Sequence, residues 1–212
     1  REDAEAYVSD VRERIRRTFA PMPRKKSPLK AQIAGTLERD GYTVEKVIFE
    51  RRPKFYVTAH LYLPEERKGK VPGVIGTCGH SSAGKNAEAY QAFAQGLARL
   101  GTACLIYDPI GQGERSQYLD AKRKLIFRGA TVEHNVAGNQ MELVGEFLGS
   151  WRAWDGIRAL DYLLERPEID PEHIGVTGNS GGGTLTTWLL GLESRWTMGA
   201  PACFVTTWRR NM

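Results

Sequence analysis

The pentapeptide Gly178-Asn179-Ser180-Gly181-Gly182 places a serine among small residues in a pattern that can turn an ordinary hydroxyl into a nucleophile. Ile174-Gly175-Val176-Thr177 precedes it and reads as a strand, and residues 184–190 follow it and read as a helix. A strand that turns sharply into a helix lifts the serine hydroxyl clear of the backbone. Glycines two positions to either side let strand and helix approach without a colliding Cβ. The chemistry this serves is acyl transfer, in which Ser180 attacks a carbonyl and backbone amides hold the oxyanion. Gly181 opens the helix and offers one such amide, reinforced by the partial positive charge of the helix end. The second donor is expected from the loop Cys78-Gly79-His80-Ser81, with the His80 N–H chosen. The His80 imidazole as general base is the lesser reading, because it stands far ahead of the serine, in the loop assigned to the oxyanion.

Other residues able to do chemistry receive structural readings. His60 falls in a hairpin strand, His134 in a stretch with no readable pattern, and His173 at the foot of the strand before Ser180. Asp108 could orient a histidine, but an aspartate before Pro109 fits a turn better. Trp151 and Trp154 share a helical face beside Asp155 and Arg158, so core packing with an intrahelical Asp155–Arg158 pair is expected. Cys78, Cys104 and Cys203 lie on or just after core strands without a C-x-x-C pair and read as buried small hydrophobes. The four histidines show no metal-ligand spacing, so neither metal nor other cofactor is expected.

The elements that must position Ser180 can be read from periodicity. Val8, Val11, Ile15 and Phe19 mark an amphipathic helix over residues 4–19, stopped by Pro21 and Pro23. Residues 42–50 and 54–63 read as an antiparallel hairpin, and Val74-Ile75-Gly76-Thr77 as a short strand. A helix over 86–100 should present Tyr90, Phe93, Leu97 and Leu100 on one face, followed by a buried strand over 103–107. Residues 111–140 resist assignment; a strong helix then starts at Ser150, and residues 202–206 read as a last strand. Strands alternating with helices indicate an α/β fold: a mostly parallel sheet with helices on both faces and the hairpin at one edge. The loops over 78–84 and 108–113 and the turn at Ser180 leave strand ends and are expected to converge. Residues 1–30 read as an N-terminal helix and linker, and 31–212 as one domain.

Bulk properties narrow the classes. A chain of 212 residues that is 41% hydrophobic suits one sizeable core. The net charge of +5 is spread among 25 acidic residues rather than gathered in a stripe, which argues against nucleic acid as a partner. The densest basic cluster, Arg24-Lys25-Lys26, reads as a solvated linker. No run approaches the roughly 18 apolar residues of a membrane span, and no signal-peptide core opens the chain.

From residue 42 onward the order of these features resembles the α/β-hydrolases. Within them the chain looks most like the acetyl xylan esterase and prolyl oligopeptidase-like serine hydrolases. The resemblance is carried by Asp155-x-x-Arg158-Ala159-x-Asp161-Tyr162-Leu163, then Arg166-Pro167-Glu168-Ile169-Asp170-Pro171, running into Ile174 to Gly178 and Ser180. Where acetyl esterases commonly read His-Gly-Tyr and place Gln after the serine, this chain has Cys78-Gly79-His80 and Gly181. The resemblance implies a serine hydrolase acting on small-molecule or carbohydrate-linked acetyl esters. Peptide cleavage and a non-catalytic binding role are the alternatives. It further implies that a catalytic acid and a histidine follow the serine, yet residues 181–212 contain no histidine. The chain is therefore expected to be the nucleophile half of a longer enzyme, C-terminally truncated and inactive alone. Location is left open, with secretion or a periplasmic site implied by resemblance only.

Overall fold

Side-chain alternation explains why the central strands are covered on both faces. In β5 (Ala103–Tyr107) every residue is buried: Leu105 and Tyr107 join one apolar cluster, Cys104 and Ile106 another on the opposite face. The structure is a computed structural model and describes residues 2–204. In chain order it contains α1 (Glu2–Thr18), β1 (Gln32–Arg39), β2 (Tyr42–Arg52), β3 (Phe55–Pro64), β4 (Val71–Thr77), α2 (Glu88–Arg99) and β5. These are followed by α3 (Ala130–Glu142), α4 (Leu148–Glu165), β6 (Ile169–Asn179), α5 (Gly181–Leu192) and β7 (Met198–Ala202).

The seven strands form one sheet in the order β1-β2-β3-β5-β4-β6-β7. The α/β class is as expected, with a mixed sheet. The pairings of β1 with β2, β2 with β3 and β3 with β5 are antiparallel, and those among β5, β4, β6 and β7 parallel. The hairpin is β2–β3. It carries an outer strand, β1, that periodicity did not reveal: Ile33 and Leu37 are exposed, so the strand has no buried face to read.

One face of the sheet packs Val47, Leu61, Ile75 and Val176 against Ala153, Leu160 and Leu163 of α4 and Leu185 and Leu189 of α5. Phe19, just past α1, is buried in the same cluster and stacks edge-on to Trp188. On the other face, Tyr42, Val44, Tyr62, Cys104 and Ile106 meet Ala94, Ala98, Tyr90 and Leu97 of α2. The expected face of α2 is thus corrected: Phe93 and Leu100 are exposed, and two alanines let the helix sit close to the sheet.

The unreadable stretch holds a single 3₁₀ turn at Gly113–Arg115, an isolated bridge between Leu119 and Leu125, and α3. The last strand also departs from expectation. It spans Met198–Ala202, because parallel pairing aligns Gly175 with Met198 and Asn179 with Ala202; Val205 and Thr206 lie outside the described residues. Among the described residues, no helix is long and apolar enough to cross a membrane.

Candidate active site

Ser180 sits between the end of β6 and the start of α5 with φ 55° and ψ −120°, a backbone conformation that costs a non-glycine residue on the order of 1–3 kcal/mol. The surroundings hold it there. Ser180 N donates to Ala202 O of β7 at 3.0 Å, and Thr184 N of α5 donates to Ser180 O at 3.0 Å. Beneath the turn, Thr77 at the end of β4 shares its hydroxyl among Gly182 O (2.7 Å), Thr186 Oγ1 (3.0 Å) and Thr177 O (3.1 Å). The approach is so close that a Cβ on Gly178 would collide with the Thr77 hydroxyl, and one on Gly182 with the Thr77 carbonyl. The side chain of Ser180 is exposed, and among the described residues its Oγ makes no hydrogen bond.

Register brings the expected loops together. Thr77 pairs with both Tyr107 and Gly178, so β4, β5 and β6 end at one level and their loops emerge side by side. Gln112 ties two of them, its Nε2 donating to Gly79 O (2.9 Å) and Ser81 O (2.8 Å), and Gly113 N donates to Ser82 O at 3.2 Å. Gly79 lies against the turn at Ser180: a Cβ there would fall 2.7 Å from Asn179 O and 3.6 Å from Gly181 N. The ring of His80 lies against Gly181, where a Cβ would fall 2.9 Å from its Nδ1 and Cε1, and the Gly181 N–H, at the first position of α5, lacks an intrahelical acceptor. A cavity of about 270 Å³ opens beside the turn, lined in part by Tyr90, Phe93, Thr177, Asn179 and Ala202.

The imidazole of His80 contacts His134 of α3, Nε2 to Nδ1 at 3.1 Å, and His134 Nε2 in turn lies 2.6 Å from Ile110 O. His134 is buried, and burial first, then nearby Arg152, lowers its pKa to about 4; the same two causes lower that of His80. From sequence His134 received only a structural reading, in a stretch with no readable pattern. Its only local signal was a histidine in the opening turns of a polar helix after Gly129. Thr77 and Gln112 were invisible, because their roles exist only between loops distant in the chain.

Below the loops lies a buried ionic layer. The Asp108 carboxylate accepts from Lys85 N (2.8 Å), Lys85 Nζ (2.5 Å), Thr58 Oγ1 (2.7 Å) and Glu114 N (3.2 Å), which corrects its reading as a simple turn residue. Asp155 pairs not with Arg158 but with Arg51 and with Arg115 NH1 (2.6 Å); Arg158 instead bonds Asp161 at 2.6 Å. The three-residue spacing permitted the intrahelical pair, but Asp155 faces the sheet, where two arginines reach it. Arg152 is buried, with Nε and one terminal nitrogen unpartnered, and burial lowers its pKa. His60 is half-buried, lowered to about 4 by burial and then by Lys85, while His173 is exposed and bonds Asp170 at 2.7 Å. Cys78 and Cys104 are buried, which raises their thiol pKa values; Cys203 is exposed, correcting its assignment to the core. Among the described residues, no three His, Cys, Asp or Glu side chains are grouped to hold a metal ion.

The fold is α/β-hydrolase-like: a mixed sheet with helices on both faces and loops converging at the ends of β4, β5 and β6. Residues 141–212 match the model of the prolyl oligopeptidase family. Among solved structures, the methylesterase BT1017 superposes with a TM-score of 0.75 at 29% identity, covering 92% of this chain and 40% of that one. Acetyl xylan esterase 1 from Thermoanaerobacterium sp. JW/SL YS485 superposes with a TM-score of 0.65 at 21% identity, covering 91% of this chain and 57% of that one. A Bacillus subtilis protein, YtaP, whose name assigns it to the hydrolases, is 23% identical over 197 residues, covering 88% of this chain and 61% of its own length. The chain thus spans between 40% and 61% of the length of these three proteins.

Proposed function

We propose that Ser180 is the nucleophile of a serine hydrolase that cleaves carboxylic esters through an acyl-enzyme. The observation that carries this reading is the positive-φ serine at a strand-to-helix turn, pressed so tightly onto Thr77 that only glycines fit at positions 178 and 182. In the proposed mechanism Ser180 Oγ attacks the acyl carbonyl. The N–H groups of Gly181 and His80 hold the oxyanion, the alcohol leaves, and water releases the acid. The esterase names among the structural relatives support an ester substrate, carbohydrate-linked acetyl esters being favoured. A peptidase reading is favoured by one observation, the match of residues 141–212 to the prolyl oligopeptidase family. A non-catalytic binding role is the third reading.

No described side chain hydrogen-bonds Ser180 Oγ, so residues 1–212 by themselves are proposed to turn over esters slowly or not at all. We also propose a division at residue 30, with residues 1–30 acting as a strap on the domain formed by 31–212. Its support is the bond from Ser150 Oγ of α4 to Phe19 O at 2.6 Å. The test uses the full-length protein on short acyl esters and on aminoacyl amides. Ser180→Ala is expected to lower kcat/KM on the esters by about 10⁴-fold or more. Amide cleavage outpacing ester cleavage would favour the peptidase reading, and no Ser180-dependent turnover of either would favour the binding role.

A further inference from the structure

The hydrogen bonds behind His80 fix which of its nitrogens carries a proton. Ile110 O can only accept, so His134 Nε2 is its donor. A neutral His134 then presents a bare Nδ1, which accepts from His80 Nε2–H. Neutral His80 is left with a lone pair on Nδ1, and that ring edge faces the turn at Ser180: a Cβ on Gly181 would lie 2.9 Å from both Nδ1 and Cε1. His80 is exposed, so the lone pair is open to a ligand.

We propose that His80 Nδ1 accepts a hydrogen bond from a substrate hydroxyl flanking the scissile ester, so that the site selects esters of polyols and sugars with a free neighbouring hydroxyl. This rests on the esterase reading of Ser180 and narrows its substrate. An acceptor role fits better than that of general base. A base must take up positive charge, and the group facing this pair from α4 is the Arg152 guanidinium, while His134 from α3 is anchored on a carbonyl rather than a carboxylate. Both imidazoles are held below their ordinary pKa, so the neutral forms that define the relay are the ones present at neutral pH. His80 would touch substrate, and His134 is a positioning residue that sets the tautomer.

The test compares hydroxyethyl acetate with its isostere propyl acetate on the full-length protein, each rate divided by the ester's alkaline hydrolysis rate. Wild type is expected to favour the hydroxylated ester by on the order of 10-fold, the net worth of one added hydrogen bond to the imidazole. In His80→Ala the ratio should fall to near one, whatever the absolute rate. His134→Phe should lower the ratio, and His134→Gln should keep it, because an amide can both donate to Ile110 O and accept from His80. A wild-type ratio near one, or a ratio unchanged in His80→Ala, overturns the proposal. Imidazole ¹⁵N shifts give a readout independent of turnover: His80 should carry its proton on Nε2, and a proton on Nδ1 overturns the proposal. If Ser180→Ala leaves ester cleavage intact, the esterase reading falls, and the nitrogen shifts alone decide the acceptor.

Discussion

A single carbonyl accounts for much of the sequence constraint around Ser180. Thr77 O and Oγ1 occupy the space where side chains at 178 and 182 would go, and the same hydroxyl bonds Gly182 O and Thr186 Oγ1. Gly→Ala in a helix ordinarily stabilises by about 1 kcal/mol. Gly182→Ala should instead destabilise, by about 2–3 kcal/mol, because the new methyl is driven into backbone that cannot yield. Urea unfolding gives the sign directly; a stabilised variant would mean that β4 and α5 are farther apart than described. Thr77→Val should cost about 1–3 kcal/mol by the same measurement, since it strips a buried hydroxyl from its partners.

Helix α4 is the element on which the loops rest. Its buried face carries Asp155 between Arg51 of β2 and Arg115 of the loop after β5, and Arg115 NH1 also donates to Asp108 O at 2.8 Å. The guanidinium of Arg51 further stacks on Trp151 and Phe55, 4.8 and 5.2 Å from the ring centres. Burial holds the Arg51 pKa down at about 10, with the neighbouring Asp155 carboxylate pulling it the other way. Asp155→Ala would leave two buried cations without their anion and should cost about 3–5 kcal/mol. Arg158 has its own partner in Asp161, so Arg158→Ala should leave the Arg51–Asp155–Arg115 layer intact, with smaller losses in thermal unfolding.

Across the molecule, buried imidazoles make stability depend on pH. His60 and His134 each have a folded pKa near 4 against an ordinary 6.5, so the unfolded chain binds protons that the folded chain refuses. Their stabilisation is present in full above pH 6.5 and is lost as pH falls toward 4, at up to about 1.4 kcal/mol per pH unit for each imidazole, less where solvent reaches it. Urea midpoints should therefore fall between pH 7 and pH 4.5. His134→Gln should flatten that slope, and an unchanged slope would mean that His134 is not held neutral. Glu168, Asp170 and Glu193 are lowered carboxylates, whose stabilisation is present above the ordinary carboxylate pKa and begins to be lost only at the acid end of this window.

How far the chain could be read follows from the range of the forces involved. The turn at Ser180, the buried strand over 103–107 and the helix ending in Leu163-Leu164-Glu165 were legible because periodicity and glycine spacing act over a few residues. By itself the sequence determined that a serine would stand at a strained strand–helix junction in an α/β sheet. It was silent where burial gives no alternation, as in β1, and where pairing rather than composition sets the limits, as in β7. Tertiary structure alone decided that Asp155 serves Arg51 and Arg115, that Thr77 braces the turn, and that His134 stands behind His80. Each of those contacts joins residues at least 40 positions apart, so it arises from sheet order and register, which no local pattern encodes.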